Sequence, residues 1–97
     1  MIYEWDDAKR EANINQHGLD LAEGVMVYES PLKLEIETER KGEARVQAVA
    51  YVFDHLAVLS LAYTGRGDVV RFISLRYASR NERGAYYEWL ENRPNDE

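Results

Sequence analysis

The sequence contains no cysteine and only two prolines, Pro31 and Pro94, in 97 residues. Without cysteine there can be no disulfide scaffold, thiolate zinc site, iron–sulfur cluster or thiol nucleophile. No apolar run approaches the ~20 residues that a membrane-spanning helix requires, so no membrane association is expected. The opening Met1-Ile2-Tyr3-Glu4-Trp5-Asp6-Asp7 has neither a basic region nor an apolar one behind it. No secretory signal is therefore expected, and a cytoplasmic location is the default. The two histidines, His17 and His55, stand far apart and outside any H-x-E or H-E-x-x-H setting, which speaks against a hydrolytic metal centre. Ser60 and Ser74 lack the G-x-S-x-G elbow of a serine nucleophile. Gly65-Arg66-Gly67 reads as a turn between strands, not as a phosphate-cradling loop before a helix. Neither a metal nor an organic cofactor is expected.

Positive charge is also scarce: 12 Lys and Arg stand against 18 Asp and Glu, a net charge of −6. A general nucleic-acid binder would usually be basic. The distribution is uneven, however. Between Tyr63 and Arg83 the chain carries Arg66, Arg71, Arg76, Arg80 and Arg83 against Asp68 and Glu82 alone. Guanidinium groups suit two-pronged contacts with phosphate or carboxylate. The pattern points to a local anion site on an acidic body.

Hydrophobic residues make up 45% of the chain and charged residues 31%, the balance of a soluble globular protein. The length implies a single domain spanning 1–97. Tyr3-Glu4-Trp5 reads as a short strand, and Asp6 as the N-cap of a helix that ends at His17-Gly18. A second helix is expected from Leu19 to Tyr28, with Leu21, Val25 and Tyr28 on its inner side. The period then changes. Leu32, Leu34, Ile36 and Thr38 alternate with Lys33, Glu35, Glu37 and Glu39, the pattern of a strand with one wet face. Arg40-Lys41-Gly42-Glu43 is a turn, and Arg45 to Phe53 a second strand. Leu56 to Thr64 is nearly all apolar, as a strand covered on both faces should be. Val69 to Tyr77 completes the meander. Ser79-Arg80-Asn81-Glu82 is a capping box opening a helix to about Asn92, with Ala85, Tyr86, Trp89 and Leu90 facing the sheet and Pro94 just beyond its end. The fold class is α+β: four antiparallel strands plus a short N-terminal strand, packed by N-terminal helices and a C-terminal helix.

Two groups of residues could carry chemistry. Lys9, Asn13 and His17 recur at four-residue intervals on one helix face, with Trp5 one turn earlier. They could bind phosphate or supply a base, since imidazole titrates near neutral pH; the same pattern suits a solvated helix face. The second group is Arg71 to Arg80 with Arg83, Tyr86 and Tyr87. Strict alternation puts Phe72, Ser74 and Arg76 on one face and Arg71, Ile73, Leu75 and Tyr77 on the other, so Arg71 and Arg76 share a face only if a bulge intervenes. Arg80 and Arg83 flank a helix N-terminus, which favours anions. Surface pairing with Glu82, Glu88 and Glu91 would account for these arginines equally.

Glu4-Trp5-Asp6, Lys9, Asn13 and His17-Gly18 resemble the N-terminal signature of BrnT-type toxins. Tyr63-Thr64, Arg71-Phe72-Ile73-Ser74-Leu75-Arg76, Ala78, Glu82-Arg83 and Tyr86 resemble that family's R-I-I-S-A-R-x-A-x-x-x-E-R-x-x-Y. The likeness runs in order from Tyr3 to about Tyr87. Gln16 stands where the family usually has Lys, Ala50 where it has Gly, and Gly84 where a charged residue is usual. The resemblance implies a RelE-like ribonuclease fold and a type II toxin that cuts RNA without a metal and so inhibits translation. It also implies a ribbon-helix-helix antitoxin, a heterotetramer with it, and DNA binding only through that partner. On this basis His17 is the expected base or acid, Arg71, Arg76 and Arg80 the expected charge-stabilising groups, and Tyr86 a positioning or stacking group. Lys9, Asn13, Arg66 and Arg83 are the expected RNA contacts. The alternative is a non-catalytic interaction or corepressor module that keeps the antitoxin surface.

Overall fold

A computed structural model describes residues 1–93. The strands are β1 (Ile2–Glu4), β2 (Leu34–Arg40), β3 (Glu43–Val52), β4 (Ala57–Arg66) and β5 (Val69–Tyr77). The helices are α1 (Asp7–His17), α2 (Gly24–Tyr28) and α3 (Arg80–Glu91). The class is α+β, as expected. The sheet is five-stranded and mixed, in the order β1-β5-β4-β3-β2. β2 to β5 pair antiparallel, and the short N-terminal strand joins them as a parallel partner of β5, with Glu4 beside Arg71.

Local chemistry places most of these elements. The Asp6 side chain accepts hydrogen bonds from the N–H groups of Ala8 and Lys9, capping α1. Ser79 and Glu82 form the reciprocal capping box of α3. Lys41 and Gly42 both have positive φ, as the primed two-residue hairpin turn between β2 and β3 requires. Val58 to Tyr63 are all buried, which makes β4 the centre of the sheet.

Four expectations need correction. Residues 19–28 are not one helix: a 3₁₀ turn, Leu21–Glu23, precedes a short α2 and shifts its phase, so the buried positions are Leu21, Gly24 and Val27. Gly24 sits so close to the sheet that a Cβ there would lie 2.8 Å from Leu61 Cδ1. β2 is wet on both faces from Glu35 onward, because the covering helices reach only its Leu34 end. Leu56 lies outside β4, exposed and left-handed (φ 50°), closing a 3₁₀ turn at Phe53–His55. Ala85 is exposed, leaving Tyr86, Trp89 and Leu90 as the inner side of α3. The expectation for Pro94 falls outside the described residues.

Apolar packing divides between the two faces. On one, Leu19, Leu21 and Val27 meet Leu59, Leu61, Tyr63, Phe72 and Leu75, and Trp5 stacks on Phe72. On the other, Tyr86 of α3 packs with Val49, Val58 and Ala78. α3 thus covers only one end of its face. The other end, toward the β2–β3 turn, stays open and forms the floor of the site described next.

A candidate anion-binding face

The open face owes its character to one irregularity. Tyr63 pairs with Phe72 and Ala62 with Ser74, so Ile73 is an extra residue, a bulge in β5. The bulge inverts the alternation. Phe72 and Leu75 both enter the core, while Arg71, Ser74 and Arg76 lie on the opposite face, across from Thr64, Ala62 and Ser60. On this face Thr38 also pairs with Arg45, and Arg40 with Glu43.

α1 borders this face along β5. The Asn13 amide donates to the carbonyls of Leu19 and Leu75 and accepts from Leu75 N–H, each at 2.8 Å. It replaces a missing strand partner at the edge of β5. Anchored there, α1 hangs Lys9, Gln16 and His17 over a cleft of about 300 Å³ whose far wall is Arg40, Lys41 and Arg45 from the β2–β3 hairpin, with Ser74 beneath. Among the described residues no carboxylate lines it. Among the described residues none of Lys9, Arg40, Lys41 and Arg45 is in an ion pair. Arg45 Nε is buried with no hydrogen-bond partner. Four uncompensated cations around a small cavity attract an anion, and an acceptor oxygen would complete Arg45.

The expected site residues thus separate into groups. Lys9 and His17 share the cleft. Asn13 is also at its wall, but its amide is spent inside the fold. Arg66 and Arg71 meet in a second cavity of about 470 Å³ on the same face, with Thr64, Val69, Glu4 and Glu43. Arg71 Nη1 lies 3.2 Å from Glu4 Oε1. Arg76, Arg80, Arg83 and Tyr86 line neither cavity. Arg76 grips both oxygens of Glu82, at 2.6 and 3.0 Å. Glu82 also accepts from Ser79 N–H and the Ser60 hydroxyl. Burial pushes the Glu82 carboxyl up, but Arg76, the Ser79 backbone and Ser60 outweigh it and bring it down to about 2. Arg83 donates to the Ala78 carbonyl at 2.8 Å. Tyr86 is buried, its hydroxyl donating to Leu32 O at 2.8 Å. Arg80 is exposed at the start of α3. Sequence reasoning missed Arg40, Lys41 and Arg45. The available signal was two adjacent cations at the tip of a hairpin whose first strand is otherwise glutamate-rich.

Among the described residues no group of three His, Cys, Asp or Glu side chains could hold a metal ion, and no helix is long and apolar enough to cross a membrane.

The structure thus defines a small α+β protein with a cationic cleft between a helix and a hairpin tip. The family model for the ribonuclease toxin BrnT of type II toxin-antitoxin systems matches residues 5–82, and the chain belongs to that family. The matched span holds every residue of the cleft and stops early in α3. Membership implies an antitoxin as partner. Comparison with curated protein sequences finds no match.

Proposed function

We propose that this chain is a metal-independent endoribonuclease of RelE-like fold, and that the cleft between α1 and the β2–β3 turn receives the scissile phosphate. The observation that carries this reading is the convergence of Lys9, His17, Arg40, Lys41 and Arg45 on one cavity that no carboxylate lines among the described residues. In the reaction a ribose 2′-oxygen forms a bond to the adjacent phosphorus as the bond from phosphorus to the 5′-oxygen breaks. The 2′-hydroxyl proton goes to a base, and the departing oxygen takes one from an acid. His17 fills one of these roles, the only imidazole in the cleft. Lys9, Arg40, Lys41 and Arg45 stabilise the charge that develops on the phosphate. Arg66 and Arg71 hold a flanking nucleotide. Arg76, locked to Glu82, positions the start of α3, where Arg80 is free to meet the RNA backbone.

A ribbon-helix-helix antitoxin neutralises the chain in a heterotetramer, operator DNA is bound through that partner, and unrestrained cleavage inhibits translation in the cytoplasm. Incubation of the pure chain with total RNA tests the proposal. Cleavage should persist in EDTA and leave 2′,3′-cyclic or 3′-phosphate ends. His17→Ala should lower the rate by about 10²–10⁴. Loss of cleavage on chelation, or an unchanged rate in the joint Lys9→Ala and Arg45→Ala variant, refutes it. One observation favours the non-catalytic alternative: Arg76 and Tyr86 are both engaged within the fold. An inert chain that still binds its antitoxin would establish that alternative.

A further inference from the structure

At the opposite end of the sheet from the cleft, the turn between β3 and β4 exposes two large apolar side chains. Phe53 is 78% and Leu56 72% accessible. Leu56 also holds the left-handed conformation, φ 50°, which suits Gly or Asn and penalises a leucine. Folding draws little from either side chain. Phe53 borders a groove of about 350 Å³ with Tyr51 and with Val25 and Met26 of α2, and among the described residues the charged groups that line it are Glu29 and Asp54, with no Lys or Arg. A solvated Phe53 on the rim of this groove, with Leu56 exposed on the same turn outside it, marks an interaction surface.

We infer that this tip is the anchoring surface for the antitoxin, and that it receives an apolar segment flanked by Lys or Arg. The inference rests on the toxin–antitoxin reading, and charge selects the occupant. A second copy meeting the surface across a two-fold axis would set Glu29 and Asp54 against their own equivalents, on molecules of net charge −6. A basic segment meets them with opposite sign. Between this tip and Lys41 runs the whole of β3, ten residues, or roughly 30 Å at the usual rise of a strand. Anchoring is therefore separable from the cleft: the antitoxin holds the tip with one segment and must reach the cations with another.

The test uses the full chain and the ribbon-helix-helix protein encoded by the neighbouring open reading frame, titrated by calorimetry. The joint variant Phe53→Ser, Leu56→Asn removes both apolar groups and gives the left-handed position a residue that tolerates it, so its melting temperature should equal or exceed that of the parent. Binding should weaken at least tenfold while RNA cleavage by the free chain is unchanged. Glu29→Lys with Asp54→Lys should also weaken binding, more so at low salt. The inference is overturned if the apolar variant binds within twofold of the parent, if charge reversal has no effect, or if the parent chain alone sediments as a dimer that the apolar variant dissociates. Absence of RNA cleavage by the parent chain would refute the ribonuclease reading, while the titration would still decide this one.

Discussion

The side chain of Asn13 is paired with the backbone of Leu75 on both its donor and its acceptor side, closing the edge of β5 as a neighbouring strand would. Asn13→Ala leaves the Leu75 N–H, the Leu75 carbonyl and the Leu19 carbonyl short of a partner in a buried setting. Each unpaired buried group costs about 1–3 kcal/mol. Chemical denaturation should show a loss within that range or above it. Asn13→Asp should also destabilise, because a carboxylate cannot donate to either carbonyl. An unchanged unfolding midpoint in both variants would show that α1 is held by other contacts.

Gly24 allows α2 to approach the sheet. In Gly24→Ala the new methyl would lie 2.8 Å from Leu61 Cδ1 and 3.1 Å from Phe72 Cδ2, both core side chains. Overpacking of this kind costs about 1–3 kcal/mol. The melting temperature should fall, and full stability in this variant would mean that the core yields at that point.

The Arg76–Glu82 pair makes stability depend on acid. The carboxyl lies at about 2 in the folded chain, below its ordinary value of 4.5. Its contribution is complete above the unfolded value and is lost as pH falls from there through about 2. After allowance for solvent screening it amounts to about 1–2 kcal/mol. Glu82→Gln should be less stable than the parent at pH 7 and should lose less on acidification. Parallel pH profiles for the two proteins would show that the pair contributes nothing.

Tyr86→Phe separates a structural from a chemical role. It removes the hydroxyl that donates to Leu32 O and keeps the buried ring. A loss of about 0.5–1.5 kcal/mol in stability is expected, with RNA cleavage unchanged. A large fall in cleavage rate without a change in stability would place the hydroxyl in the reaction.

Salt dependence reports on the cleft. If Arg40 and Lys41 each neutralise a phosphate, replacing both by Ala should reduce the slope of log affinity against log salt for a single-stranded RNA by about 0.7 per lost contact. An unchanged slope would place the RNA elsewhere on the molecule.

Much of this arrangement was legible along the chain because its causes are local. Asp6 and Ser79 announce their helices by short-range hydrogen bonds, and the run from Val58 to Tyr63, apolar but for Ser60, reads as a central strand. The bulge at Ile73 was not legible. Alternation is the signal for a strand, and an extra residue becomes visible only against the partner strand, where Tyr63 and Ala62 fix the register. The cleft escaped for a related reason. Lys9 and Arg45 are separated by more than thirty residues, and nothing in either segment says that the hairpin tip comes to rest beside α1. Tyr86 and Arg76 read as chemical groups because a polar atom looks the same in sequence whether it meets a substrate or, as here, a carbonyl or a carboxylate of its own fold.

The two margins of the sheet have unequal capacity to grow. On one, β1 is three residues long and Asn13 occupies the backbone beyond it. On the other, β2 offers seven residues whose outer edge has no strand partner among the described residues, and Glu35, Glu37 and Glu39 stand in a row along it. Two such margins laid side by side would bring six carboxylates into register. The glutamate row therefore works against edge-to-edge pairing of two copies through this strand.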